Sequence, residues 1–143
     1  MRLFGDQPLI GWTIGAAQQA KCFDCIAVTS DSEEILNYAT WEGAIPIKRP
    51  YELANDTASV YDAISHAYEE LAEDFDYICL LQPTSPLRLP LDIKYGVRLA
   101  MYNNKVAVVS KEVGYSVPNG AFYIGRVDWL SAGGNFDNPY INS

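Results

Sequence analysis

The side chains best suited to binding chemistry fall in one short stretch, Gln82-Pro83-Thr84-Ser85-Pro86-Leu87-Arg88, directly after the apolar run Tyr77-Ile78-Cys79-Leu80-Leu81. Gln82 offers an amide donor and an acceptor at the end of that run, and the two prolines stiffen the turn that carries the Thr84 and Ser85 hydroxyls. Arg88 has a planar fork that matches a carboxylate or a phosphate. A second constellation is Arg49-Pro50 followed by Asp56-Thr57-Ala58-Ser59, a cation ahead of a helical pattern whose first N–H groups can meet an anion. Thr29-Ser30-Asp31 and Ser110-Lys111 also follow apolar runs, and Pro118-Asn119-Gly120 precedes one. Each has a plainer reading: an ordinary connection with a solvated Arg88, a surface ion pair at Arg49 with Asp56 as a helix cap, and a common Asn-Gly turn.

The elements that must position these residues alternate short apolar runs with longer segments of helical period, the pattern of βαβ units. The runs are 25–28, 77–81, 106–109 and 121–124; three are apolar on both faces and so predict central strands of a mostly parallel sheet covered by helices on each side. Helical stripes run through Ile10, Ile14 and Ala17; Ile35 and Ala39; Val60, Ile64, Ala67 and Leu71; and Ile93, Val97 and Met101. Asp31 or Ser32 is the expected cap of the second helix, and Asp56 or Thr57 of the third. In such sheets ligands bind beyond the carboxyl ends of the strands, which selects the loops after 28, 81 and 109 as one candidate rim.

At 143 residues, with 49% hydrophobic and 20% charged, the chain has the size and balance of one globular domain. A formal net charge of −8 argues against nucleic acid, although a few focused cations still suffice for a small anion. The absence of a long apolar run argues against a membrane span and makes a cytoplasmic location the expectation. Cys22 and Cys25 form a Cys-x-x-Cys pair, but with one further cysteine, Cys79, and a single histidine, His66, they read as core-filling thiols rather than a zinc or redox site.

Taken in order, "PLIGWTI", "VTSDSEEI", "RPYELANDTASV", "LLQPTSPLR", "VVS" and "PNGAFYI" resemble the acylneuraminate cytidylyltransferase family over nearly the whole chain. The resemblance implies a three-layer, Rossmann-like nucleotidyltransferase fold. It also implies an enzyme that joins CTP to an acidic nine-carbon keto sugar such as sialic acid, giving the CMP-sugar and pyrophosphate with magnesium. Carried over by residue, it places Arg49, Asp56, Thr57 and Ser59 on the nucleotide side, with Asp31 at the mouth of the pocket. Gln82, Thr84, Ser85, Arg88 and Asn119 fall on the sugar side, and Gln82 and Arg49 are the residues expected to carry catalysis.

The chain departs from the family pattern in three places. The family opens with a strand and a Gly/Ser/Lys/Arg-rich loop that cradles the triphosphate, and this chain starts where that loop has ended, so the expected fold is incomplete. The family's long segment between "VVS" and "PNG", which supplies much of a homodimer interface, is short here. The family's metal-binding Asp-x-Asp pattern has no counterpart before Ser143, so no magnesium ligand is assigned. These departures lead to an expectation of weak turnover by residues 1–143, the alternative being a non-catalytic relative that binds a nucleotide, a sugar or a partner.

Overall fold

A computed structural model describes residues 1–55, 59–84, 88–111 and 118–136, with backbone alone at Lys111 and at 118–121. The chain opens with a small hairpin, β1 (Leu3–Phe4) and β2 (Gln7–Pro8), turned through Gly5 at φ 68°. Helix α1 (Leu9–Ala20) follows, then β3 (Ala27–Ser30), α2 (Glu33–Trp41), β4 (Ile45–Lys48) and a 3₁₀ turn over Tyr51–Leu53. Next come α3 (Val60–Leu71), β5 (Tyr77–Leu80), α4 (Pro90–Tyr102), β6 (Ala107–Lys111), β7 (Pro118–Arg126) and the short α5 (Val127–Ser131).

Local chemistry accounts for the helix ends. Ser32 caps α2, its hydroxyl accepting from the Ile35 N–H at 3.4 Å, one of the two residues expected there. Ser59 caps α3, accepting from the Tyr61 N–H at 3.1 Å. The cap is therefore neither Asp56 nor Thr57, because the serine immediately ahead of Val60 already satisfies a first-turn donor. Pro90 opens α4, where its missing N–H costs nothing. Lys21 and Ala72 end α1 and α3 in the left-handed conformation, each N–H returning to a carbonyl of the last turn.

Strands β3 and β4 pair in parallel, from Ala27 opposite Ile45 to Ser30 opposite Lys48. Strand β7 lies between β5 and β6 and runs antiparallel to both. The α/β architecture expected from the sequence is present, with β3 and β4 in parallel, and β7 is the strand that runs against its neighbours β5 and β6. The reason is the length of the β6–β7 connection: residues 112–117 are too few for a crossover, which takes a dozen or more residues, and so they return the chain as an antiparallel neighbour. Strand β4, with a proline at its second position, was not expected from the pattern. It is an edge strand whose Ile45, Pro46 and Lys48 are exposed and whose Ile47 is buried.

The core divides in two. Ala16 and Ala20 of α1 pack with Ile93, Val97 and Ala100 of α4 and with Phe122 and Ile124 of β7. Ile14 of α1 packs with Val28, Ala39 and Ala44 on the β3–α2 side. Helix α1 belongs to both groups, one turn of it serving each. At the end of the described chain, Phe136 is buried against Tyr61, Tyr123 and Trp129, and the Tyr61 hydroxyl accepts from the Phe136 N–H at 2.9 Å. No helix among the described residues is long and apolar enough to cross a membrane.

Close approach sets one residue identity in α4. A Cβ at Gly96 would stand 2.7 Å from Cε2 and 2.8 Å from Cζ of Phe122, an almost fully buried ring in the larger core. Gly96→Ala is expected to lose about 1–3 kcal/mol in urea unfolding despite alanine's better helix propensity, whereas a gain in stability would show that the ring yields freely.

Candidate active site

A cavity of about 590 Å³ lies between the β3–β4 pair and the β5–β7–β6 sheet. Its floor is α1, through Ile10, Thr13, Ile14 and Ala17; β3 lines it from Ala27 to Ser30, and the end of β5 and its loop line it from Cys79 to Thr84. Arg49, one residue past β4, and Val60, at the start of α3, complete the mouth. Among the described lining residues the charged side chains are Arg2 and Arg49, and no acidic residue takes part, in a chain whose net charge is −8.

Arg49 is held by the strand it faces. Its backbone N–H donates to the Ser30 carbonyl at 2.9 Å, and its guanidinium Nη2 donates to the Thr29 carbonyl at 3.0 Å. A longer contact, 3.4 Å, joins Nε to the Thr29 hydroxyl. The cation is thus half-buried and oriented through Nε and Nη2, and its ordering entropy is spent before any ligand arrives. Ser30 is buried, its hydroxyl accepting from the Ser32 N–H at 3.1 Å, so β3 leads straight into the α2 cap.

The loop after β5 brings Gln82 and Thr84 to the cavity, whereas Arg88 points inward. Its Nη2 donates to the Gln82 carbonyl, while Nε and Nη1 are buried without a hydrogen-bond partner among the described residues. Burial lowers its pKa, with the Cys79 thiol acting in the opposite direction. Arg88 therefore braces the loop from behind and is not among the side chains that line the cavity.

The other expected residues are distributed as follows. Ser59 is exposed and spends its hydroxyl on the α3 cap. Asp31 is exposed, its backbone carbonyl accepting from Lys48 Nζ at 2.8 Å, and it stands outside the cavity lining. Asn119 lies in the β7 backbone, and its side chain is outside what the structure describes, as are Asp56, Thr57 and Ser85 altogether. Ser110 turns away from the rim: its hydroxyl accepts from the Phe122 N–H at 3.0 Å and bridges the irregular end of the β6–β7 pairing. Thr13 and Ile14 were missed as lining residues because the α1 stripe signals a buried face without revealing that part of it floors a void.

The described residues contain no group of three or more His, Cys, Asp or Glu side chains that could hold a metal ion. The described residues therefore offer no ligand set for magnesium, and no step is assigned to one. Cys22, Cys25 and Cys79 are free thiols of intermediate exposure. Burial, the largest cause, pushes the Cys79 thiol up to about 12, with Cys22 adding to the rise and Arg88 opposing it. Burial likewise raises Cys25, with Glu73 and Asp24 adding to it.

With this geometry established, the fold can be compared with known proteins. The chain superposes on a cytidylyltransferase from Leptospira borgpetersenii with a TM-score of 0.71, covering 91% of this chain and 54% of that one at 18% identity, a likeness of fold. A family profile for the cytidylyltransferases matches residues 1–117, and the chain belongs to that family of enzymes. It is 43% identical over 94 residues to the N-acylneuraminate cytidylyltransferase of Escherichia coli O18:K1:H7, a match covering 66% of this chain and 22% of that protein. It is 37% identical over 111 residues to the CMP-N,N'-diacetyllegionaminic acid synthase of Legionella pneumophila, covering 75% and 48%. A third relative, the pseudaminic acid cytidylyltransferase of Campylobacter jejuni serotype O:23/36, is 32% identical over 126 residues, covering 85% and 54%. The chain thus spans between about a fifth and just over half the length of these relatives.

The thiols provide a direct check on the cavity wall. With its pKa near 12, Cys79 stays protonated at about pH 8 and is expected to resist alkylation in the native chain while reacting readily in urea. The raised value also means that its neutral form stabilises the fold below the unfolded value of 9.0, and that this contribution fades as pH climbs towards 12. Rapid native labelling of Cys79, read by mass spectrometry, would contradict this placement.

Proposed function

We propose that the cavity mouth binds CTP, and that the protein to which these residues belong transfers CMP to an acidic nine-carbon keto sugar, a sialic acid or a relative. The observation that carries this reading is Arg49: a braced guanidinium at a cavity mouth free of acidic side chains among the described lining residues, opposite Gln82. A net-acidic chain has to concentrate positive potential somewhere to hold a triphosphate, and this is where the described residues do so. The class of substrate is that named by the activities of the relatives.

In this reading the anomeric hydroxyl oxygen of the sugar attacks the α-phosphorus of CTP. The new O–P bond forms as the α–β phosphoanhydride bond breaks, pyrophosphate leaves with the electron pair, and the hydroxyl proton passes to solvent. Little covalent chemistry falls to the protein, so its work is positioning and charge neutralisation. Arg49, with Asp56, Thr57 and Ser59 from the sequence ahead of Val60, orients the nucleotide, and Asp31 stands near the mouth. Gln82 has a donor and an acceptor for adjacent sugar hydroxyls, Thr84, Ser85 and Asn119 extend that side, and Arg88 contributes by holding the Gln82 loop.

Titration calorimetry with CTP tests the nucleotide half. Arg49→Ala is expected to weaken binding by about tenfold or more, the cost of one charge-assisted contact, and an unchanged affinity removes Arg49 from the site. The transfer half is read by pyrophosphate release with CTP and N-acetylneuraminate. Gln82→Ala is expected to lower any release far more than it lowers CTP affinity. Equal loss of both would move Gln82 to the nucleotide side.

A further inference from the structure

Helix α4 is apolar on two faces, and only one of them is covered among the described residues. Ile93, Val97 and Ala100 face inward and are buried, with Gly96 against the Phe122 ring. On the opposite side Leu91, Tyr95, Leu99 and Tyr102 recur at steps of four, four and three, which sets them in one stripe along the helix. Leu91 is 76% exposed, Tyr95 69% and Tyr102 86%, and Leu99 between the two tyrosines is exposed as well. From residue 91 to 102 the stripe runs about 17 Å. A helix that is apolar all round belongs in an interior, because the fold gains nothing from rings and branches left in water. Single apolar residues are ordinary on a surface, whereas a contiguous stripe marks a place of contact.

The stripe is held rigidly. The Tyr77 hydroxyl donates to the Ala100 carbonyl at 3.2 Å and the Lys105 N–H to the same carbonyl at 2.9 Å, while Arg126 Nη1 donates to the Asn104 side chain at 3.1 Å. The end of α4 is therefore pinned to β5 and β7, and Ile93 and Ala100, both fully buried, fix its rotation. Its charge is one-sided. Lys94 and Arg98 flank the stripe towards Cys22, where burial raises the thiol pKa and the two cations act in the opposite direction. Neither cation has an ion-pair partner among the described residues. Asp92, the single acid of the helix, lies on the other flank. In a chain of net charge −8 this is a local excess of positive charge beside an apolar surface.

The backbone of α4 is hydrogen-bonded within the helix, so a partner meets side chains and not an open strand edge. Rows of side chains four apart form ridges that fit between those of a second helix. We propose that this face of α4 docks an acidic amphipathic helix of a separate protein, whose apolar residues seat between Leu91, Tyr95, Leu99 and Tyr102 and whose carboxylates meet Lys94 and Arg98. Tyrosine and arginine are the side chains that carry the most energy in such contacts. A second copy of this chain is the poorer occupant: two α4 helices packed antiparallel about a two-fold axis bring the Lys94–Arg98 flank of one against the same flank of the other. A lipid surface is poorer still, because the net charge of −8 opposes the anionic headgroups that two cations would have to reach. The cavity lining includes no residue of α4, so this docking is separate from nucleotide binding.

The test is fluorescence anisotropy with a labelled helical peptide that carries Leu at alternating steps of three and four and Glu on both flanks. Saturable binding is expected, weakened about tenfold or more by Tyr95→Glu and by Arg98→Glu, and restored for Arg98→Glu by a peptide with Lys in place of Glu. Both positions are exposed, and an unchanged urea midpoint checks that the variants fold. No saturable binding, equal binding of a scrambled peptide, or no rescue by the charge swap would overturn the proposal. So would a dimer on sizing that Tyr95→Glu dissociates, or retention on phosphatidylserine vesicles that the same variant abolishes, which would assign the face to a second copy or to a membrane. Tyr95 and Tyr102 shielded from hydroxyl radicals in the isolated monomer would show that the protein covers the stripe itself, and would also overturn it. Peptide binding is expected to persist in Arg49→Ala and CTP affinity to persist in Tyr95→Glu, so a failure of the nucleotide reading and of this one are separately visible.

Discussion

Everything in this molecule is referred to helix α1. It is amphipathic in an unusual sense: within three turns it gives Ile14 to the β3–α2 core and Ala16 and Ala20 to the α4–β7 core. The alanines allow α4 to approach closely at no side-chain entropy cost, while Ile14 fills volume on the other side. Because the two sheets share no direct ladder among the described residues, their separation is set by this helix. The cavity, its mouth and the relative positions of Arg49 and Gln82 all follow from that separation.

The division of labour at the mouth has a physical logic. Arg49 is anchored to the β3 carbonyl edge, whereas the Gln82 loop is braced from behind by Arg88. One arginine lines the cavity and the other holds protein, and burial distinguishes them: Arg88 is 9% exposed with two nitrogens unpartnered among the described residues, while Arg49 is half-buried beside the opening. A buried, under-bonded guanidinium is costly on its own. It makes sense only if the loop geometry it supports is worth holding.

Much of this was legible in the residues. The apolar runs and 3.6-residue stripes located β3, β5, β6, β7 and four helices, since burial on one face imposes those periods regardless of detail. The motif strings located Arg49 and Gln82, and the structure brings both to one cavity. What the residues did not reveal has identifiable causes. Arg88 has the same side chain whether it serves a ligand or a loop, and only packing decides. The direction of β7 follows from the length of the connection before it, to which the apolar pattern is blind. Strand β4 is short, exposed and interrupted by Pro46, so its alternation carries little signal.

The link between Tyr61 and the far end of the described chain has a mechanical consequence. Tyr61 lies two positions after the cap of α3, and its hydroxyl bonds Asn135 and the Phe136 backbone, some 75 positions away, within a group of rings that includes Trp129. The head of that helix is consequently tethered to an indole remote from it in sequence. A ligand that tugs on the segment preceding the helix would alter the surroundings of Trp129, giving the molecule a built-in optical gauge of events at the opening.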